Sequence, residues 1–195
     1  MIYLDNNAST KLDSEVEAAM REAGAFYGNP SSVHGEGRRA RRMIEEARDE
    51  TALLIGASRE EIFFTSGGTE ANAMAIFGSM AGRRGRAVRS GAEHPSVGEA
   101  FDSLAGDGIQ TAIVNPEPSG SLDPARVEEA VAPGTLLVSV MAANNEYGGL
   151  FPVPSLAAAS HRRGALFHTD AVQAAGRIPI VVRTWDVVLL SLSAN

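Results

Sequence analysis

TLLVSVMAANNEYGGLFPVPSLAAASHRRGALFHTD, residues 135–170, contains one complete strand–helix–strand pattern. Residues 135–141 are a β-branched and apolar run of strand length. Residues 155–163 then follow helical periodicity, with Gly164 as a stop, and a second short apolar run begins at 165–167. Two strands joined through a helix imply a parallel pair, because a crossover is what brings the chain back to the same end of a sheet.

The same alternation extends outward on both sides. Strand-like runs occur at 61–65, 86–90, 109–114 and 186–192, and helix-patterned segments at 69–80, 96–104 and 124–131, the last with Pro124 near its first turn. Nearer the start, Ala40, Met43, Ile44, Ala47, Thr51 and Leu54 recur at helical spacing across 37–55. The expected class is three-layer α/β, with a mostly parallel sheet covered by helices on both faces. No repeat, low-complexity tract or linker interrupts the 195 residues, so a single domain, or a large piece of one, is expected.

Composition narrows the function. A net charge of -7 argues against nucleic-acid and anionic-membrane surfaces, which need an excess of Lys and Arg. The Arg38, Arg39, Arg41 and Arg42 cluster is best read as a solvated helix face, since Glu45 and Glu46 follow Arg41 and Arg42 at i+4. Without cysteine the chain has neither a disulfide framework nor a thiolate metal site, and no metal centre is expected. A start without a basic, apolar leader, and the lack of any run approaching the ~20 apolar residues of a membrane span, point to a cytoplasmic protein.

Ligands of open α/β sheets bind beyond the carboxyl ends of the strands, and polar residues collect there in this sequence. Thr65-Ser66-Gly67-Gly68-Thr69-Glu70 has the parts of a phosphate cradle: glycines, a hydroxyl and a following helix N-terminus. It is equally a Gly-Gly turn with Thr69 as helix cap. Asp170 ends an apolar strand, where its carboxylate needs either a cationic partner or a helix to cap, and Gln173 follows within one helical turn. His94, after Glu93, is a satisfied polar residue or a ring stacked on a ligand as acid or base. Asn144-Asn145 is ligand-binding or turn chemistry before Gly148-Gly149. The last strand runs into Ser191, Ser193 and Asn195.

YLDNNAST at 3–10, GNPSSVHGEG at 28–37, FTSGGTEAN at 64–72, AEHPSV at 92–97, NNEYG at 144–148 and HTDAVQAAG at 168–176 together resemble the cysteine desulfurase family, across the whole chain and in the family's order. The NNE and GNPSS elements are similar to the branch serving iron–sulfur cluster assembly and thio-modification. The resemblance implies a fold-type-I, class V aminotransferase-like enzyme, homodimeric, with pyridoxal 5'-phosphate as cofactor. Such an enzyme converts L-cysteine to L-alanine and passes sulfur as a persulfide to an acceptor protein. It implies Gly68, Thr69 and Ser193 at the cofactor phosphate, and His94 stacked on the ring as the catalytic proton carrier. It also implies Asp170 on the pyridinium nitrogen, Gln173 on the phenolic oxygen, and Asn145 near that oxygen and the substrate carboxylate.

Two positions depart from the family: Ala142 and Asn195 stand where many relatives carry histidines. The resemblance further implies that the Schiff-base lysine follows Asn195, with the nucleophilic cysteine, the substrate arginine and a C-terminal small domain beyond it. Residues 1–195 are then an N-terminal segment plus most of the cofactor-binding large domain, inactive alone. Two other functions fit the same scaffold: a selenocysteine lyase or related carbon–sulfur lyase, and a non-catalytic half-length scaffold or split-enzyme subunit.

Overall fold

The computed structural model describes residues 2–194, and Asn195, one of the expected departures, lies outside them. The chain divides into two compact units at Phe63/Phe64, a point that no linker composition marks.

In the first unit, α1 (Ser14–Gly24) starts where the Asp13 side chain accepts from Glu15 N–H, and it buries no residue. The second helix, α2 (Gly35–Ile55), ends at Gly56, whose left-handed backbone (φ 66°) suits glycine. Gly37 is required at its start, because the backbone oxygens of Ser32 and Asn29 stand where a Cβ would go. Glu45 takes Arg41 at 3.0 Å and Arg59 at 2.7 Å, as expected of a solvated ion-paired face. A strand at 61–65 is not formed. Residues Arg59–Glu61 make a 3-10 turn, and Ile62 is extended but joins no ladder. Phe63 and Phe64 are 72% and 51% exposed. An apolar run becomes a strand only when a neighbour takes its backbone groups, which its composition does not guarantee.

The second unit is built on five parallel strands: β1 (Arg86–Ser90), β2 (Gln110–Val114), β3 (Thr135–Ser139), β4 (Leu166–Asp170) and β5 (Leu189–Ser191), in the order β2-β1-β3-β4-β5. Helices α3 (Gly68–Met80), α4 (Pro95–Gly106), α5 (Pro124–Ala130) and α6 (Val153–Arg162) match the sequence pattern within a few residues, and a short α7 (Val182–Trp185) precedes β5. The step from β1 to β2 runs in the opposite direction to that from β3 to β4. Right-handed crossovers therefore put α4 and α6 on opposite faces, the three-layer arrangement. Helix α3 packs beside α4, and α5 beside α6.

Residues on the α3/α4 face are interlocked with Ile76, Met80, Val97, Phe101 and Leu104: Ala87 on β1 and Leu137 on β3, with Leu166 and Leu189 at the margin. Each buried side chain of this size contributes about 2 kcal/mol. Alternation sends their neighbours Val88, Val138 and Phe167, all fully buried, to the other face. Counting on from Leu166 by twos, His168 and Asp170 face α3. Strand β4 thus continues three residues beyond the apolar run that announces it.

Candidate functional site

The strand order reverses direction between β1 and β3, so the carboxyl end of the sheet opens there. Glu93, just past β1, bridges the two strand ends: its Oε1 accepts from Ser90 Oγ at 2.5 Å and from Met141 N–H at 2.8 Å. The residue as a whole is half-buried, but Oε2 is enclosed and has no hydrogen-bond partner among the described residues. Burial pushes this carboxyl up to about 8, the nearby Asp170 charge adds to the rise, and the Ser90 and Met141 donors oppose it. Glu93 therefore carries a proton at neutral pH. It does not pair with His94.

One layer below the rim, a polar row crosses the α3 face. His168, with no exposed surface, meets Ser139 on β3 through Nδ1 and Ser191 on β5 through Nε2. Desolvation brings its imidazole down to about 4, against a smaller upward pull from Asp170, so the ring is neutral.

Asp170 is the last residue of β4 and 4% exposed. Its Oδ1 accepts from Val172 N–H at 3.0 Å, an Asx turn that opens the tight 172–177 segment in place of a regular helix. Capping is therefore one of its roles. Oδ2 accepts from Asn72 Nδ2 at 2.7 Å, and Asn72, 1% exposed in the second turn of α3, also donates to Ser96 Oγ at 3.0 Å. Ser96 Oγ in turn lies 2.8 Å from His94 Nδ1. A chain of bonds thus joins Asp170 to His94 through two residues that sequence reading did not single out. Among the described residues, both donors to Asp170 are neutral and no Lys or Arg pairs with it. A buried carboxylate held this way can accept a cationic group.

Beside it, α3 opens at Gly67 with no side-chain cap, and Thr69 stands exposed in the first turn, not at the cap position. Glu70 reaches back to Ser66 N–H at 2.5 Å, and the hydroxyl and N–H of Ser66 hold its carboxyl below the usual range. A Cβ at Gly68 would come within 3.0 Å of Val172 Cγ2 and 3.6 Å of Ser193 Cβ, so the helix start, the turn after Asp170 and Ser193 adjoin. The helix N-terminus with these hydroxyls suits an anion.

Gln173 and Asn145 complete the set of residues that the sequence singled out. Gln173 is half-buried and its Oε1 takes the Arg177 guanidinium within the same turn. Asn145 is half-buried next to Asn144, which is the turn-forming member: Asn144 Oδ1 accepts from Glu146 and Tyr147 N–H, and Nδ2 donates to Ala92 O. Ala142 is buried with its N–H on Asp170 O at 2.8 Å, so that position offers no side-chain donor. The signals for Asn72 and Ser96 were a lone Asn inside an apolar helix and a hydroxyl two residues after His94.

The chain is similar to known proteins over its length. The family described as Aminotransferase class-V matches residues 2–195. A cysteine desulfurase of Cereibacter sphaeroides is 45% identical over 199 residues, covering 100% of this chain and 51% of that protein. One from Enterobacter agglomerans is 43% identical over 198 residues, covering 100% and 49%. A solved structure described as SspA in complex with cysteine superposes with a TM-score of 0.94 at 32% identity, covering 98% of this chain and 56% of that one. The chain spans about half the length of the curated relatives it matches.

Proposed function

This chain belongs to the class-V aminotransferase family, and from that premise we propose that the complete protein is a pyridoxal 5'-phosphate-dependent cysteine desulfurase. It converts L-cysteine to L-alanine and hands the sulfur, as a persulfide, to an acceptor protein for iron–sulfur cluster assembly or thio-modification. The observation that carries this reading is Asp170: a buried carboxylate whose donors among the described residues are neutral, tied to His94 at the rim of a parallel sheet.

Pyridoxal phosphate, when bound, supplies an aldehyde for the substrate amine and a ring that withdraws electrons while its nitrogen is protonated. The residues of this chain hold and steer it. Asp170 keeps the proton on the ring nitrogen, Gly68, Thr69 and Ser193 receive the phosphate, and His94 lies against the ring and moves protons. Gln173 serves the phenolic oxygen, and Asn145 serves that oxygen and the substrate carboxylate. Residues 1–195 are, in this proposal, the N-terminal segment and most of the cofactor-binding large domain, with the small domain in the remainder of a cytoplasmic homodimer. No helix among the described residues is long and apolar enough to cross a membrane.

The test is direct. The complete protein, loaded with pyridoxal phosphate and given L-cysteine, releases alanine and a reducible sulfur species in equal amounts. Borohydride treatment of the loaded protein attaches the label to a lysine after Asn195 and not to Lys11, the single lysine of this chain. Absence of alanine, or a label on Lys11, overturns the reading.

A further inference from the structure

The bonds between Asp170 and His94 have a fixed direction, and that direction decides which nitrogen of His94 carries its proton. An ionised carboxylate only accepts hydrogen bonds, so the group that Asn72 turns to Asp170 Oδ2, 2.7 Å away, is its NH2. The second hydrogen of that NH2 goes to Ser96 Oγ at 3.0 Å. Ser96 Oγ, already an acceptor, has its own hydrogen left to give, and His94 Nδ1 is 2.8 Å away. The Ser96 backbone N–H points to the same nitrogen at 3.2 Å. Two donors converge on Nδ1, which leaves no place for a proton there.

We infer that Asn72 and Ser96 are positioning residues that lock His94 in the tautomer with Nδ1 bare and Nε2 protonated, with Asp170 setting the direction of the chain. This deepens, and rests on, the reading of His94 and Asp170 as a cofactor site. A helix-capping role for His94 accounts for the backbone donor alone. It does not account for a 1%-exposed asparagine placed between Ser96 and Asp170, two segments far apart in sequence. The consequence is that His94 offers a donor from Nε2 to whatever lies on its open side. A proton can reach Nδ1 only if the Ser96 hydroxyl turns around.

The test uses the complete protein labelled with 15N-histidine, with and without pyridoxal phosphate, the His94 signals being assigned by loss in His94→Gln. Wild-type protein shows an unprotonated Nδ1 and a proton-bearing Nε2. In Ser96→Ala the Nδ1 signal shifts toward the averaged position of an imidazole exchanging between tautomers, and Ser96→Thr, which keeps the hydroxyl, restores it. Asn72→Leu shifts it the same way. If Asn72→Leu does not fold, the two Ser96 variants decide alone. A protonated Nδ1 in wild type, or an unmoved signal in Ser96→Ala, overturns the inference. Absorbance of bound cofactor on the same samples separates the two levels: protein that binds no pyridoxal phosphate sinks the functional reading, whereas normal binding with a protonated Nδ1 sinks only the tautomer lock.

Discussion

His168 Nε2 lies 3.0 Å from Ser191 Oγ, across the β4–β5 pair and fully out of solvent. With Ser139 on its other nitrogen, the ring is a neutral crosspiece between three strands just below Asp170.

The unfolded chain takes up a proton on this imidazole near its ordinary 6.5, while the folded site resists until about 4. Between those values the unfolded state binds more protons, so this contribution is fully present above pH 6.5 and is lost as pH falls toward 4. The loss is on the order of 3 kcal/mol. His168→Ala lowers stability at pH 7 by about 2–4 kcal/mol, through two orphaned hydroxyls and a cavity, and removes this part of the acid slope. Urea titrations of the complete protein from pH 4 to 7.5 check both effects; an unchanged acid slope refutes the buried neutral ring.

Glu93 works in the other direction. Its carboxyl is raised from 4.5 to about 8, so the folded state holds the extra proton, and the contribution is full below pH 4.5 and lost as pH rises through 8. Glu93→Gln keeps the shape and a neutral group. The variant should therefore lose the wild-type decline in stability between about pH 6.5 and 8, where His168 no longer compensates. The same titrations extended to pH 9 provide the comparison, and parallel wild-type and variant curves count against a protonated Glu93.

Asp170→Asn separates charge from shape. The Val172 cap can survive on the amide oxygen, and far-UV circular dichroism should stay as in wild type, but the ring nitrogen loses its anionic partner. Alanine release from L-cysteine should fall by about 100-fold or more, measured with saturating cofactor. Undiminished turnover leaves Asp170 as a turn residue only.

At the start of α3, Gly68→Ala pushes a methyl against Val172 Cγ2, 3.0 Å from the ideal Cβ position. Overpacking of about 1 kcal/mol is expected, roughly a fivefold loss in cofactor affinity followed by absorbance. Adding Val172→Ala makes room and should return most of it; a double variant as weak as the single one means the methyl acts through the anion site itself.

The parallel sheet was legible because residues 135–170 contain a whole crossover, and the rim residues because polar groups interrupt each apolar run where the strand ends. Three features were not legible, each for its own reason. The run at 61–65 has strand composition but joins no ladder among the described residues, and pairing is a property of two segments. The apolar run at 165–167 stops before His168, whereas β4 continues through Asp170 and places His168 inside. Asn72 sits in an apolar helix, where periodicity marks it only as an exception, and its meaning depends on Asp170 and Ser96 from other segments.

The bond between Asn72 and Asp170 closes across 98 residues of chain. During synthesis at about 5–20 residues per second, helix α3 is complete roughly 5–20 s before its acceptor is made. Throughout that interval Asn72 has no carboxylate to bind, and the helix has neither a finished β4 nor β5 to cover it. The rim is therefore assembled only once β4 and β5 have joined the sheet. A nascent chain halted between β3 and β4 would present α3's unburied face to chaperones and proteases, with its asparagine still solvated.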